Sequence, residues 1–146
     1  MKILHLTWEY PPYKVGGLST HVEELTQAQQ KLGHEPIIVA CAFEGKDGYE
    51  NVNGVHVFRF DADHIPAEDF PSWTLQMNVL MQNAASEVMS EFPDISLIHS
   101  HDWLSATSAI SLKHIYRIPL ISTLASGQLL APGSMRCCNQ RFCSGT

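Results

Sequence analysis

The chain has 146 residues, of which 45% are hydrophobic and 16% charged, with a formal net charge of −6 at pH 7. That length is enough for one domain with a buried core and too short for two full Rossmann-like units, and the hydrophobic share excludes disorder of the whole chain. The acidic balance argues against nonspecific binding to nucleic acid but leaves room for a local cationic pocket.

The first element is a short apolar strand, Lys2 to Trp8. It is followed by Glu9-Tyr10-Pro11-Pro12, where two prolines end strand pairing and turn the chain. Lys14-Val15-Gly16-Gly17-Leu18 comes next. After it, Leu18, Val22, Leu25, Ala28 and Leu32 recur at helical spacing, and Gly33 ends that helix. A glycine pair at a helix N-terminus lets a ligand approach the backbone, where unpaired N–H groups and the positive end of the dipole favour an anion. Lys14 adds a mobile positive charge, and Ser19 and Thr20 are available to cap the helix or donate hydrogen bonds. The same glycines also suit a plain strand-to-helix turn. The motif matches neither the three-glycine dinucleotide pattern nor a nucleoside-triphosphatase P-loop.

Glu35 to Cys41 reads as a strand buried on both faces, with Pro36 at its start. Phe43 to Asn53 is expected to be a polar loop, and Gly54 to Phe60 a third strand. Acids and prolines from Asp61 to Pro71 form another loop, with Ser72 placed to cap a helix over 73–92. Its buried stripe is expected to draw on Leu75, Val79, Ala84 or Ala85, Val88 and Phe92, with Met77, Met81 and Met89 as core filler. Pro93-Asp94 breaks that helix. A strand over 95–100, a helix over 103–116 and a last strand over 119–123 follow. This order predicts an α/β, Rossmann-like fold whose mainly parallel sheet has helices on both faces. Ligands of such sheets collect beyond the carboxyl ends of the strands, where the glycine motif and His99-Ser100-His101-Asp102-Trp103 both emerge.

On an extended strand His99 and His101 share one face, while Ser100 and Asp102 share the other. A His-x-His pair beside a carboxylate is a metal candidate, but no third and fourth ligand recurs at diagnostic spacing, so neither a metal nor a cofactor is expected. His5, His21, His34, His56, His64 and His114 look scattered. Asp102 can cap the following helix, and Trp103 can either pack at the strand-helix junction or stack on a sugar.

Together, the string Trp8-Glu9-Tyr10-Pro11-Pro12-Tyr13-Lys14-Val15-Gly16-Gly17-Leu18 and the segment His99-Ser100-His101-Asp102-Trp103 resemble the N-terminal domain of retaining GT-B glycosyltransferases of the glycogen and starch synthase type. The resemblance covers residues 1–123. It implies hexosyl transfer, with retention, from a nucleotide sugar such as ADP- or UDP-glucose to a glucan or other carbohydrate acceptor, without a metal; a cytoplasmic location is expected from the lack of a run of about 20 apolar residues and of a signal-like N-terminus. By the same resemblance Asp102 is the catalytic residue beside the reacting sugar, supported by His101 and Trp103. Lys14, Gly16 and Gly17 bind the donor, and Glu9 and Tyr10 face the acceptor. Partners are the donor and acceptor of the complete enzyme, not nucleic acid or membrane, and a second GT-B domain would complete the cleft. The competing class is a noncatalytic anion-binding or interaction module of flavodoxin-like shape.

Past Thr123 the pattern stops. Relatives carry a His-containing segment where this chain reads Leu124-Ala125-Ser126-Gly127-Gln128, and residues 103–146 contain no Asp or Glu at all. Cys137, Cys138 and Cys143 cluster there at spacings that suit neither zinc hooks nor a disulfide framework, so free thiols are expected. Residues 124–146 are therefore read as a tail foreign to the family, from a frameshift, an alternative splice or a gene-model error. The chain by itself is expected to be inactive.

Overall fold

In the computed structural model, which describes residues 1–124, the apolar stretches assemble as β1 (Lys2–Leu6), α1 (Gly17–Lys31), β2 (Glu35–Ala42), β3 (Gly48–Val52), β4 (Val55–Asp61), α2 (Phe70–Glu91), β5 (Ile95–His101), a 3₁₀ turn (Trp103–Ser105), α3 (Ala106–Tyr116) and β6 (Leu120–Thr123). The six strands form one sheet in the order β3-β4-β2-β1-β5-β6. All pairs are parallel except the β3–β4 hairpin, which is the doubly wound architecture expected. The proposed separate tail, with Cys137, Cys138 and Cys143, lies outside the described residues apart from Leu124.

The central strand β2 is buried on both faces, as its apolar run requires. On one face Ile37, Val39 and Cys41 join Leu4 and Leu6 against Met77, Met81, Ala85, Val88 and Leu112 of α2 and α3. On the other, Ile38 and Ala40 pack with Val55, Val57, Val22 and Tyr10 beneath α1. The three methionines of α2 are core residues, as expected. Among the described residues no helix is long and apolar enough to cross a membrane.

Three local expectations are corrected. Residues 48–52, read as loop, form β3, whose edge position leaves Asn51 exposed while Glu50 pairs with Arg59 of β4. The signal was Asn53-Gly54: both residues take positive φ, 53° and 87°, and close a tight hairpin. In α2 the cap is Asp69, whose Oδ1 accepts from the Ser72 amide at 2.7 Å, and Leu75 and Val79 are exposed. This helix is apolar around much of its circumference, and Asn78 decides which side faces inward. Its amide donates to Leu104 O and accepts from the Ser108 amide, tying that face to α3.

In α1 the inner face is Ser19, Val22 and Thr26, while Ala28 and Leu32 are exposed. The reason is that the underside of α1 is polar: Glu9 accepts from the Ser19 amide, Tyr10 Oη bonds Thr26 Oγ1, and His5 Nε2 bonds Gln29 Oε1. A hydrophobic period cannot report a face that docks through hydrogen bonds.

Candidate functional site

β1 and β5 are neighbours, and the chain leaves them in opposite directions. After β1 it crosses to α1 on one face; after β5 it crosses to α3 on the other. The crevice between two such strands is a topological switch point, where open α/β sheets bind ligands. Both sequence motifs lie at its rim, and the rings of His21 on α1 and His101 on β5 come within 6.0 Å of each other.

The glycine turn does not stand empty-handed. Glu9, 2% exposed, turns its carboxylate into the start of α1: Oε2 accepts from the Val15 amide at 2.6 Å and the Gly16 amide at 3.1 Å, and Oε1 from the Ser19 amide at 3.2 Å. The carboxylate occupies the place that a capping side chain or an anion takes at a helix N-terminus. Neither Ser19 nor Thr20 caps α1 with its side chain. Among the described residues the Gly17 and Leu18 amides have no acceptor, so two of the helix's four leading donors stay available. Gly16 is extended, with φ −152°, and a Cβ built on Gly17 meets nothing within 4 Å. The fold itself therefore makes no use of a bare Cα at these positions, which leaves open space in front of the turn.

Tyr10 is buried, its ring in the α1-side core and its hydroxyl on Thr26. Glu9 and Tyr10 thus serve the inside of the turn in this chain. Lys14 Nζ lies 3.2 Å from Glu23 Oε2 on the exposed side of α1. Arg59 of β4, not anticipated from the sequence, holds the turn from below. Its guanidinium donates to the carbonyls of Tyr10 and Pro11 and lies over the rings of Tyr10 and Tyr13.

Across the crevice, Asp102 has φ 67° and ψ 166°, a region adopted almost solely by glycine and costing of order 1–3 kcal/mol for other residues. The surroundings over-determine it. Its amide donates to Thr123 O at 2.8 Å, its Oδ1 accepts from the Trp103 amide at 2.8 Å, and Ser105 Oγ donates to His101 O at 2.9 Å. Asp102 thus caps the 3₁₀ turn, while its Oδ2 has no hydrogen-bond partner among the described residues. Burial pushes its carboxyl above the usual aspartate range. Trp103 is half-exposed and meets Phe70 edge to face, which serves packing and still shows a ring to solvent.

Of the histidines read as scattered, His5 and His21 join the His99 and His101 pair. His5 and His99 are register partners on β1 and β5, His101 follows on the same face, and all three are buried beneath α1. His5 Nδ1 lies 2.9 Å from His101 Nε2, and His99 Nε2 lies 2.7 Å from Thr123 Oγ1. Burial, with repulsion from neighbouring imidazoles, lowers the pKa of His5 to about 3 and of His101 to about 2, and lowers that of His99. The x-spaced pair was legible; His5, Gln29, Thr123 and His21 join it only through strand pairing and the docking of α1.

Residues 2–126 match the family model described as the starch synthase catalytic domain. An uncharacterized glycosyltransferase of Methanocaldococcus jannaschii is 34% identical over 129 residues, covering 88% of this chain and 32% of that protein. A glycogen synthase of Mycobacterium tuberculosis is 34% identical over 139 residues, covering 85% of this chain and 33% of its own length. Among solved structures, a sucrose-phosphate synthase from Thermosynechococcus elongatus superposes with a TM-score of 0.74 at 17% identity, over 92% of this chain and 37% of that one. The chain spans about a third of the length of the curated relatives it matches.

Proposed function

Because this chain belongs to the family of starch synthase catalytic domains, we propose that it is the N-terminal part of a retaining glycosyltransferase, moving a hexosyl unit from a nucleotide sugar to a glucan or other carbohydrate acceptor. The observation that carries this reading is Asp102: a carboxylate in a strained, glycine-like conformation, with one oxygen uncommitted, at the crevice between β1 and β5. Strain of this kind persists where the surroundings enforce it, and it concentrates at working sites.

In this reading Asp102 and the glycine turn answer opposite charges. Transfer builds positive charge on the sugar ring and negative charge on the departing diphosphate. Asp102 Oδ2 serves the ring, with His101 and Trp103 beside it. Lys14, Gly16 and Gly17 line the donor side, where the Gly17 and Leu18 amides supply the uncommitted donors and the missing Cβ atoms allow close approach. Glu9 and Tyr10 shape the acceptor side from within the turn. A second Rossmann-like domain supplies the rest of the cleft, and the 146-residue chain alone has no transferase activity. The same reading carries a cytoplasmic location.

One observation favours a noncatalytic module instead: the Glu9 carboxylate already fills half of the amide cradle. A chimera separates the two. Residues 1–123 replace the matching part of the Mycobacterium tuberculosis glycogen synthase, and transfer from labelled ADP- or UDP-glucose to glycogen is followed. We expect turnover in the chimera, a loss of at least about 100-fold for Asp102→Asn, as for removal of one transition-state electrostatic partner, and none from the 146-residue chain. A folded chimera whose rate ignores Asp102→Asn overturns the assignment.

A further inference from the structure

We infer that His5, His99 and His101 form a binding site for one divalent cation of the zinc class, seated between the sheet and α1. The sugar-transfer reading places His101 beside Asp102 but requires no metal there.

Geometry carries the inference. Strand pairing places His5 opposite His99, and the two-residue period adds His101 on the same face. One ring nitrogen from each of the three lies within 4.8 Å of the others, and the His99 and His101 rings stack with centroids 4.1 Å apart. Three imidazoles around one point are the protein ligand set of a His₃ zinc site, with water as the fourth ligand. Metal–nitrogen bonds of about 2.0–2.1 Å put tetrahedral ligand atoms roughly 3.3 Å from one another. The His5 Nδ1 to His101 Nε2 separation is 2.9 Å, and with the three ligand atoms within 4.8 Å of one another, ring rotation draws the set in to these distances.

The outer hydrogen bonds are those of a ligand set. His5 turns Nε2 to Gln29 Oε1 at 2.8 Å, and His99 turns Nε2 to Thr123 Oγ1 at 2.7 Å, which orients each ring and leaves its Nδ1 for a ligand. Without a cation the cluster is left with a surplus of lone pairs. If Gln29 accepts from His5 Nε2, then His5 Nδ1 accepts from His101 Nε2. His101 Nδ1 remains buried with no partner among the described residues. Neutral imidazoles are the form that binds metal, and on binding the His101 proton passes from Nε2 to Nδ1, so the ring stays neutral and no net proton is released. An all-nitrogen set favours Zn²⁺, Cu²⁺, Ni²⁺ or Co²⁺ over Mg²⁺ and Ca²⁺, which take oxygen ligands. Asp102 follows the end of β5, where it caps the 3₁₀ turn, and is not part of the set.

The test uses the full 146-residue chain carrying C137S, C138S and C143S, so that tail thiolates do not compete for metal. After chelator treatment, Co²⁺ is titrated near neutral pH. The expected result is one equivalent bound with the visible d–d absorption of a tetrahedral site, displaced by Zn²⁺, lost in His99→Gln and kept in His34→Gln. Absence of stoichiometric binding at micromolar free metal overturns the proposal, as does equal binding by a folded His99→Gln chain. Should His99→Gln fail to fold, imidazole ¹⁵N resonances of the unmutated rings decide: Zn²⁺ must shift those of His5, His99 and His101 together, and a shift confined to other histidines rejects the site. Loss of sugar transfer in the chimera bears on the family reading alone and leaves this outcome unchanged.

Discussion

Glu9 Oε2 accepts the amide hydrogen of Gly16 at 3.1 Å, so the glycine turn of this domain is organised around an anion of its own. The carboxylate bridges the turn to the first residues of α1 through three amides. It leaves the Gly17 and Leu18 donors without an acceptor among the described residues, in a turn that Arg59 braces from β4. Preorganisation of this kind lets a loop bind without first being ordered.

Glu9→Ala removes the acceptor from three amides at once and is expected to lower unfolding free energy by about 2–3 kcal/mol, since hydrogen bonds to charged groups contribute about 1.5–3 kcal/mol. Glu9→Gln keeps one acceptor oxygen and is expected to lose roughly half as much. Equilibrium urea denaturation measures both. If both variants match the parent chain, the carboxylate is not what holds the turn.

Asp102 separates stability from function. Asp102→Gly relieves strain of about 1–3 kcal/mol but gives up a cap of about 1 kcal/mol, so it is expected to be at least as stable as the parent. Asp102→Ala keeps the strain, loses the cap and is expected to be about 1 kcal/mol less stable. In the chimera neither variant should transfer sugar. A less stable Gly variant than Ala variant in thermal melts contradicts the backbone assignment.

The buried histidines set an acid limit. The folded pKa values of His5 and His101, about 3 and about 2, lie below the ordinary value of 6.5, so the unfolded chain binds protons first as pH falls. Their contribution is fully present above pH 6.5, declines below it, and levels off only under the folded values. Each imidazole accounts for up to about 1.4 kcal/mol per pH unit in that window. Denaturation series between neutral pH and pH 5 should show this slope, and a folded His5→Gln variant should show a shallower one. A flat profile rejects the neutral buried pair.

The inward face of α2 is tested by contrast. Met81→Ala, fully buried against the sheet, is expected to cost about 2–5 kcal/mol. Leu75→Ala and Val79→Ala, on the exposed side, should change stability by less than about 0.5 kcal/mol. Comparable losses at Leu75 and Met81 would place the wrong face inward.

Element type was readable wherever one physical cause dominated a stretch. The unbroken apolar run of β2 announced a strand buried on both sides, the two prolines after β1 announced the turn, and the glycine and His-x-His-Asp motifs announced the family that the comparisons show. The docking of α1 was hidden because it rests on Glu9, Thr26 and Gln29, which carry no hydrophobic period. The inner face of α2 was hidden because apolar residues surround it, and the choice fell to Asn78 bonding α3.

What this amino-acid order determined by itself is the alternation of strand and helix, the ends of the strands where chemistry collects, and the family. Those depend on period and local turn preference, which act within a few residues. The tertiary structure alone decided that Glu9 occupies the glycine turn, that Asp102 is held in a strained conformation bonded to Thr123, and that His5 meets His99 and His101. These contacts join residues of different elements, and the close packing of strand against strand and helix against sheet sets them.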